Sequence, residues 1–329
     1  MNHLLKYSHP AGEFKNGLPI GNGRLAAMVC GDGKNIRLAL NHEWLWRGVN
    51  RFRDIDDVSS HLPEVRRLLL DGDFLNGTKL ANEYFGGLGG VSGVKNRVDP
   101  YQPAGDLTIM TSGGAYSRSL DLLTGECVTV IGDTEVRAFA SFSDGFIVIK
   151  IAGGASLKLS RTDDPMCDVR IDGLYLEGQF RGGVSFEIKA RAYPHDGSVT
   201  ALLDIATSAN TGKLLEFPEE ADYDAMFARH APNFREAMGP AAVEVDLPEP
   251  DADTDVRLAD FKAGGDPALP LLYFEYGRYL MVSGSSGELP LNLQGKWNED
   301  VNPPWECDYH LDVNLEMAYW AADTLGMGR

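Results

Sequence analysis

The chain of 329 residues is poor in three features that assign many proteins to a class. Its four cysteines are scattered, without the CxxC pairs of a zinc site or the density of a disulfide framework. Lys and Arg number 30 against 48 Asp and Glu, and the net charge of −18 opposes attraction to a phosphate backbone. We therefore predict no metal site and no nucleic acid partner, and we expect reduced, packed thiols at Cys30, Cys127, Cys167 and Cys307.

Long apolar runs are also missing from the sequence. No stretch approaches the roughly 18 apolar residues that a membrane span needs, and the start "MNHLLKYSHPAGEF" holds no run of signal-peptide length. We therefore expect no membrane partner and, if Met1 is the true start, a cytoplasmic protein. With 43% hydrophobic residues, the chain has enough apolar material for a large core or for two domains.

Short runs rich in β-branched and aromatic residues fill the chain to about residue 215. Examples are "CVTVIGD", "GFIVIKIAG", "GVSFEIKARAYP" and "SVTALLDIAT", separated by Gly, Asp, Ser and Asn. This spacing predicts an antiparallel β-sandwich. One helical insertion is predicted over 59–85, with Leu62, Val65 and Leu69 on one face and a break at Asp71-Gly72.

The spacing becomes helical after residue 218. A linker helix is predicted from apolar and aromatic residues three and four apart, namely Tyr223, Met226, Phe227, His230 and Phe234. "DLPEPDADTD" then predicts a connection. A buried helix is expected over 266–284, with Asp266 as N-cap and Pro267 at the first helical position. A last helix is expected over 315–326.

The densest group of polar residues lies between those last two helices. "LPLNLQGKWNEDVNPPWECDYHLDVN" has tandem prolines and cannot be a regular helix, so we predict a long ordered loop. An extended "HLDVN" would place His310, Asp312 and Asn314 on one side.

Amides, a carboxylate and flat indoles are the mixture of side chains that binds sugar hydroxyls and stacks on sugar rings. A single buried His or Asn is more often a structural group, and a lone Trp more often belongs to a core. The clustering of so many within some twenty residues favours a carbohydrate site, and the candidate residues are Asn292, Gln294, Trp297, Asn298, Trp305, His310, Asp312 and Asn314.

The same stretch resembles the signature of glycoside hydrolase family 95, the α-L-fucosidases. In that family a barrel helix precedes an N-L-Q-G-x-W-N loop, P-P-W and an H-x-N-x-N-x-x-M-N-Y-W run, similar to "GRYLMVSGSSGELPLNLQGKWNEDVNPPWECDYHLDVNLEMAYW" here. The segments "GLPIGNGRLAAMVCGD", "LALNHEWLWRG", "YQPAGDLTI" and "ADYDAMFARHAPNF" resemble further family motifs in the expected order. The likeness covers nearly the whole chain.

The resemblance implies a multidomain β + α protein. We expect an N-terminal antiparallel β-sandwich (supersandwich) over 1–217, a helical linker over 218–263 and the beginning of an (α/α)6 barrel over 264–329. In the family, a C-terminal β-domain follows the barrel. It also implies an inverting hydrolase of the 1,2-α-L-fucosidase type, with a fucosylated oligosaccharide or glycan as partner and no cofactor.

The residue roles come from the same resemblance. The water-holding pair of the family falls on Asp312 and Asn314 as catalytic residues, and the sugar-contacting histidine falls on His310. Asn292, Gln294, Trp297 and Trp305, which come from the polar and aromatic cluster described above and not from the resemblance, complete the substrate-binding set.

The sequence departs from the family pattern at two positions and in length. Asp312 replaces an asparagine of the water-holding pair, and Ala318 replaces the asparagine of "MNYW". A twelve-helix barrel needs on the order of 350 residues, and the family's general acid and base would lie beyond residue 329. We therefore expect a truncated form or a missing C-terminal half, and a chain that lacks general acid and base. A non-catalytic carbohydrate-binding protein and an α-L-galactosidase-like relative are the alternatives.

Overall fold

The computed structural model describes residues 3–48, 56–86, 98–243 and 245–328. Their strands form two sheets that are antiparallel throughout, which confirms the predicted β-sandwich. The smaller sheet has five strands in the order β10 (Ser156–Ser160), β5 (Gly105–Met110), β4 (Asn35–His42), β3 (Leu25–Gly31) and β2 (Leu18–Gly21).

The larger sheet begins with the N-terminal strand at one edge. Its nine strands run in the order β1 (Leu4–Tyr7), β6 (Tyr116–Asp121), β7 (Cys127–Ile131), β8 (Thr134–Ala140), β9 (Ile147–Ala152), β14 (Ser198–Thr207), β13 (Ser185–His195), β12 (Tyr175–Phe180) and β11 (Cys167–Asp172). The four quoted β-rich runs correspond to β7, β9, β13 and β14.

An apolar core lies between the sheets. Alternating residues of the smaller sheet, such as Leu38 and Leu107, are fully buried in the same cluster as Ile149 and Ile188 of the larger sheet. Burying one such side chain contributes about 1.5–3 kcal/mol to folding. All four cysteines are buried free thiols, as predicted.

The helices are α1 (Leu62–Leu70), α2 (Phe74–Phe85), α3 (Tyr223–Ala237), α4 (Thr254–Lys262), α5 (Leu269–Ser285) and α6 (Asn314–Tyr319). The predicted break at Asp71-Gly72 separates α1 from α2, and Gly72 has a φ of +81°, a conformation that glycine adopts without a steric penalty. In the described ranges, we find no helix that is both long enough and apolar enough to span a membrane.

Three helix boundaries differ from the prediction. Asp266 is not an N-cap, and α5 begins at Leu269 after Ala268, so that Pro267 lies outside the helix. The reason is that the buried Asp266 carboxylate pairs with Arg257, its Oδ2 lying 2.7 Å from Nε, on a residue whose φ is +39°.

The other two differences concern α4 and α6. Helix α4 begins at Thr254, inside the segment predicted as a connection. Helix α6 ends at Tyr319, short of the predicted 326, and turns follow it. In short exposed helices such as these, few residues are buried, so the hydrophobic periodicity that indicates where a helix begins and ends is weak.

Helix α3 packs its predicted apolar stripe against the larger sheet. Tyr223, Met226 and Phe234 are buried, and His230 stacks on Phe139 with ring centroids 4.6 Å apart. The His230 ring is held from both sides, since Nε2 lies 2.7 Å from the Thr124 carbonyl oxygen and the Phe142 N–H donates to Nδ1 over 3.2 Å. A neutral ring with its proton on Nε2 satisfies both contacts.

The buried histidine predicts a loss of stability in mild acid. Burial lowers the pKa of His230 from its ordinary 6.5 to about 4, so the unfolded chain takes up a proton between these pH values and the folded chain does not. The free energy of unfolding should therefore fall as the pH falls from 6.5 to 4, by up to about 1.4 kcal/mol per pH unit for this one group.

Urea unfolding at several pH values in that window measures the dependence. His230→Gln should have a shallower dependence than the wild type, whereas His195→Gln, at an exposed position, should match the wild-type slope. Equal slopes for wild type and His230→Gln would contradict the assignment.

Candidate carbohydrate site

Residues 286–313, here the 286–313 loop, join α5 to α6. The loop is irregular, as predicted, apart from a bridge between Asn292 and Gly295 and a short 3-10 turn over Pro304–Cys307. The expectation of an extended "HLDVN" is wrong. The Leu315 N–H donates to the His310 carbonyl oxygen over 3.1 Å, which closes a turn over 311–313 and makes Asn314 the first residue of α6.

The carboxylate of Glu43 holds the start of this loop. Glu43 follows β4 and is 1% exposed. Its two oxygens accept the backbone N–H groups of Glu288 and Leu289 at 3.2 and 2.8 Å. The Lys296 ammonium lies 3.5 Å from the same carboxylate and donates to the Leu289 carbonyl oxygen over 2.9 Å. One buried acid thus fixes both ends of the 288–296 stretch.

The Lys296 charge is out of water. Burial lowers its pKa from 10.5 to about 8, against the opposing effect of Glu43. A buried charge of this kind is stable only when it is paired and hydrogen-bonded, so Glu43 and Lys296 depend on each other.

A reciprocal amide contact continues the attachment. The Asn41 side chain donates to the Asn298 carbonyl oxygen over 2.9 Å and accepts the Asn298 N–H over 3.0 Å. Both side chains are almost fully buried. This pair of bonds reproduces the pattern of a β-ladder with a side chain in place of a strand.

Further along, the "YQPAGDLTI" segment and Arg47 hold residues 296–306. The Tyr101 backbone N–H donates to the Glu306 carbonyl oxygen, and its phenol donates to that of Lys296. The Val301 carbonyl oxygen accepts from Arg47 Nη2 over 2.8 Å and from the Gln102 amide over 2.9 Å. The sandwich thus supplies hydrogen bonds along most of the 286–313 loop.

Glycines allow the sandwich and this region to approach closely. A Cβ on Gly21 would lie 2.5 Å from the Ser283 carbonyl oxygen, and one on Gly23 would lie 1.9 Å from the Gly287 nitrogen. The Gly23 N–H donates to Ser283 over 2.8 Å. Larger residues at Gly21 or Gly23 would push the end of α5 off the sandwich.

Three of the predicted sugar-contacting residues are buried in this attachment. Trp297 is 6% exposed and its indole N–H donates to the Ile20 carbonyl oxygen over 3.1 Å. The Asn292 oxygen accepts the Gln294 N–H over 3.0 Å and the Cys307 thiol over 3.2 Å. Asn298 donates to the carbonyl oxygens of Tyr101 and Asp300. In this structure these three side chains support the loop, and Gln294 is half-buried beside them.

Trp305 and His310 come together at an open cleft of about 640 Å³. The cleft is lined by Asn302, Pro303, Pro304, Trp305, Glu306, Asp308 and His310. The Trp305 indole is 69% exposed, on a residue with a φ of +49°. His310 is half-buried, with Nε2 2.6 Å from Oδ1 of Asp308. An exposed aromatic surface beside polar groups suits a sugar ring.

Asp312 and Asn314 are exposed and lie outside the lining of that cleft. Asp312 belongs to the turn over 311–313, and Asn314 begins α6. The structure therefore places His310 and Trp305 in one cleft, with Asp312 and Asn314 on the turn that leads away from it.

Sequence reasoning missed the residues that support the site from the sandwich. The Trp46 ring packs against that of Tyr309, with centroids 5.6 Å apart and planes tilted by 37°, and Asp308 lies against His310. Glu43 and Asn41 belong to the same quoted run, "LALNHEWLWRG", as Trp46. Polar residues packed at the end of an apolar strand were the available signal, but their partners are some 250 residues away in the chain.

The Glu43 attachment predicts a large stability effect from a small change. Glu43→Gln should lower the free energy of unfolding by about 3–5 kcal/mol at neutral pH, because the Lys296 ammonium stays buried without its counter-charge. Urea unfolding measures the difference. Glu288→Gln, at an exposed carboxylate that accepts from the Trp44 indole, is the control at the same end of the loop and should cost less than about 1 kcal/mol. Equal costs for the two variants would contradict the role given to Glu43.

Comparison with known proteins agrees with the two-part architecture. The family model "Glycosyl hydrolase family 65, N-terminal domain" matches residues 5–216, and "Glycosyl hydrolase family 95 catalytic domain" matches residues 222–329. Alpha-L-fucosidase 2 of Arabidopsis thaliana is 26% identical over 96% of this chain and 46% of its own length. Probable alpha-fucosidase A of Aspergillus niger is 28% identical over 94% of this chain and 46% of its own length. Probable alpha-fucosidase A of Aspergillus oryzae is 26% identical over 94% of this chain and 51% of its own length.

The chain spans about half the length of these curated relatives. Both halves of the fold are matched by glycoside hydrolase models, and the 286–313 loop lies wholly within the catalytic-domain match. The chain therefore carries an N-terminal β-sandwich domain of the glycoside hydrolase family 65 type, followed over residues 222–329 by sequence that matches the family 95 catalytic domain.

Proposed function

We propose that the protein acts in the hydrolysis of terminal α-L-fucosyl residues of glycans, as a fucosidase-like glycoside hydrolase. The observation that carries the proposal is the catalytic-domain match over residues 222–329, which includes the cleft with Trp305 and His310. The names of the three relatives, all fucosidases, support the same substrate class.

Each side chain at the cleft has a role in this proposal. The exposed face of Trp305 stacks on the apolar face of the fucose ring, and His310 hydrogen-bonds a ring hydroxyl. Asn292, Gln294 and Trp297 act by fixing the loop that carries these two residues, since Asn292 and Trp297 are buried and already bonded within the fold.

The proposed chemistry is inverting hydrolysis. A water held by Asp312 and Asn314 attacks the anomeric carbon, and a general acid on the opposite side protonates the leaving oxygen. Such a mechanism needs carboxyl groups roughly 6.5–9.5 Å apart, so that the water fits between base and sugar. Asp312 is exposed, and its carboxylate can serve as the base directly, where an asparagine would need a distant aspartate.

The general acid is not assigned to any residue of this chain by the family resemblance. We therefore propose that the chain binds the fucosyl group but does not turn it over appreciably by itself, since general acid catalysis contributes typically about 10²–10⁴-fold. A purely carbohydrate-binding role would give the same binding, so an assay of hydrolysis has to accompany the binding experiment.

The test is saturation-transfer NMR with methyl α-L-fucoside on the purified chain. We expect transfer to the L-fucoside and much less to methyl α-D-fucoside, its mirror image, and Trp305→Ala should reduce the L-fucoside signal. Methyl α-L-galactoside, which carries one more hydroxyl, compares the L-galactose alternative directly. Equal transfer to both enantiomers, or an unchanged signal in Trp305→Ala, would contradict a fucose site at this cleft.

The hydrolysis assay uses an aryl α-L-fucoside and 2′-fucosyllactose. The chain alone should show no turnover above that of an Asp312→Asn, Asn314→Ala double variant. Turnover above this background would show that the chain contains its own acid, contrary to the proposal, while supporting fucoside hydrolysis as the activity.

A further inference from the structure

The carboxylate of Asp308 has an unusual environment at the cleft. Its Oδ1 atom is shielded from solvent, and no hydrogen bond of good geometry reaches it from the described residues. The nearest polar group is the His310 imidazole, whose Nε2 lies 2.6 Å away. A buried carboxylate oxygen left without a donor is costly, so this contact is the one that can stabilise it.

The backbone on both sides of this pair is fixed. The Asp308 N–H donates to Trp305 and its carbonyl oxygen accepts from Leu293, both over 3.2 Å. The His310 carbonyl oxygen accepts the Leu315 N–H. Tyr309, between the two, packs its ring against that of Trp46. The loop backbone therefore places the two side chains next to each other.

The contact decides which ring nitrogen carries the proton. A carboxylate beside Nε2 favours a proton on that nitrogen, and in the neutral ring Nδ1 is then a hydrogen-bond acceptor. His310 also lines the cleft, so Nδ1 is the ring nitrogen left for a ligand. A sugar hydroxyl can donate to it.

We propose that Asp308 is a positioning residue that holds His310 with its proton on Nε2, so that Nδ1 accepts a hydrogen bond from a hydroxyl of the fucosyl ring. This inference rests on the proposed function for the identity of the sugar. The pairing itself does not, because it follows from the position of the two side chains.

The charged groups around the pair act in opposite directions. Burial raises the pKa of Asp308, the His310 ring lowers it, and Glu306 raises it. Removal of the His310 ring would thus leave a half-buried carboxylate facing a second carboxylate. If Asp308 only stabilised the turn, it would do so whichever ring nitrogen of His310 carried the proton. The tautomer of His310 therefore distinguishes a structural role of Asp308 from a positioning role.

The first experiment is two-bond ¹H–¹⁵N correlation NMR of the imidazole rings of the whole chain, with the His310 signals identified by their loss in His310→Gln. We expect the pattern of a ring protonated on Nε2 in the wild type. Asp308→Ala should give a mixture of both tautomers, and Asp308→Asn, whose amide oxygen can take the same position beside Nε2–H, should keep the wild-type pattern. A wild-type ring protonated on Nδ1, or an unchanged ring in Asp308→Ala, overturns the proposal.

The second experiment is a titration of the same chains with methyl α-L-fucoside. Asp308→Ala should raise the Kd about tenfold, and Asp308→Asn should recover most of the loss. Asp300→Ala, at an exposed carboxylate of the same loop outside this cleft, should bind as the wild type does. An unchanged Kd in Asp308→Ala overturns the sugar-contact role. Absence of binding to the wild-type chain contradicts the proposed function and this role together, and the NMR pattern alone then decides whether Asp308 sets the tautomer.

Discussion

The buried carboxylate of Glu43 is the constraint on which the cleft region depends. It comes from the end of a sandwich strand, yet its partners are backbone N–H groups and an ammonium of the 286–313 loop. A loop without regular structure needs such partners, because its own backbone groups are not paired in a ladder or a helix. The sandwich therefore supplies hydrogen-bond partners for the backbone of this loop, as neighbouring strands supply them for a strand in a sheet.

The attachment extends from that carboxylate to the cleft itself. Asn41, Arg47 and Tyr101 hold successive carbonyl and N–H groups of the loop, and the Trp46 ring packs against that of Tyr309, the residue before His310. Trp305 and His310, which line the cleft, lie at the end of this series. The positions of the cleft side chains consequently depend on the N-terminal sandwich as much as on the sequence, matched by the catalytic-domain model, that forms the cleft.

Much of the fold could be predicted from the sequence, because burial imposes a period. Strands such as β5 and β7 alternate between buried and more exposed residues, and α3 buries Tyr223 and Phe234 at helical spacing. The misassigned positions are those where a distant partner decides the conformation. Asp266 has the sequence of an N-cap but pairs with Arg257, and "HLDVN" alternates like a strand but closes a turn through His310 and Leu315.

The candidate site was predictable in place but not in detail. The composition of residues 292–314 indicated a polar, aromatic surface, and the structure places Trp305 and His310 at a cleft there. The burial of Trp297 and Asn298 could not be foreseen, since their partners Ile20 and Asn41 are in the sandwich. The most direct test of the dependence on the sandwich is hydrogen–deuterium exchange of peptides from the 286–313 loop in Asn41→Ala. We predict faster exchange over 286–313 with unchanged exchange in β7 and β9, whereas an exchange rate for the loop equal to that of the wild type would contradict the account.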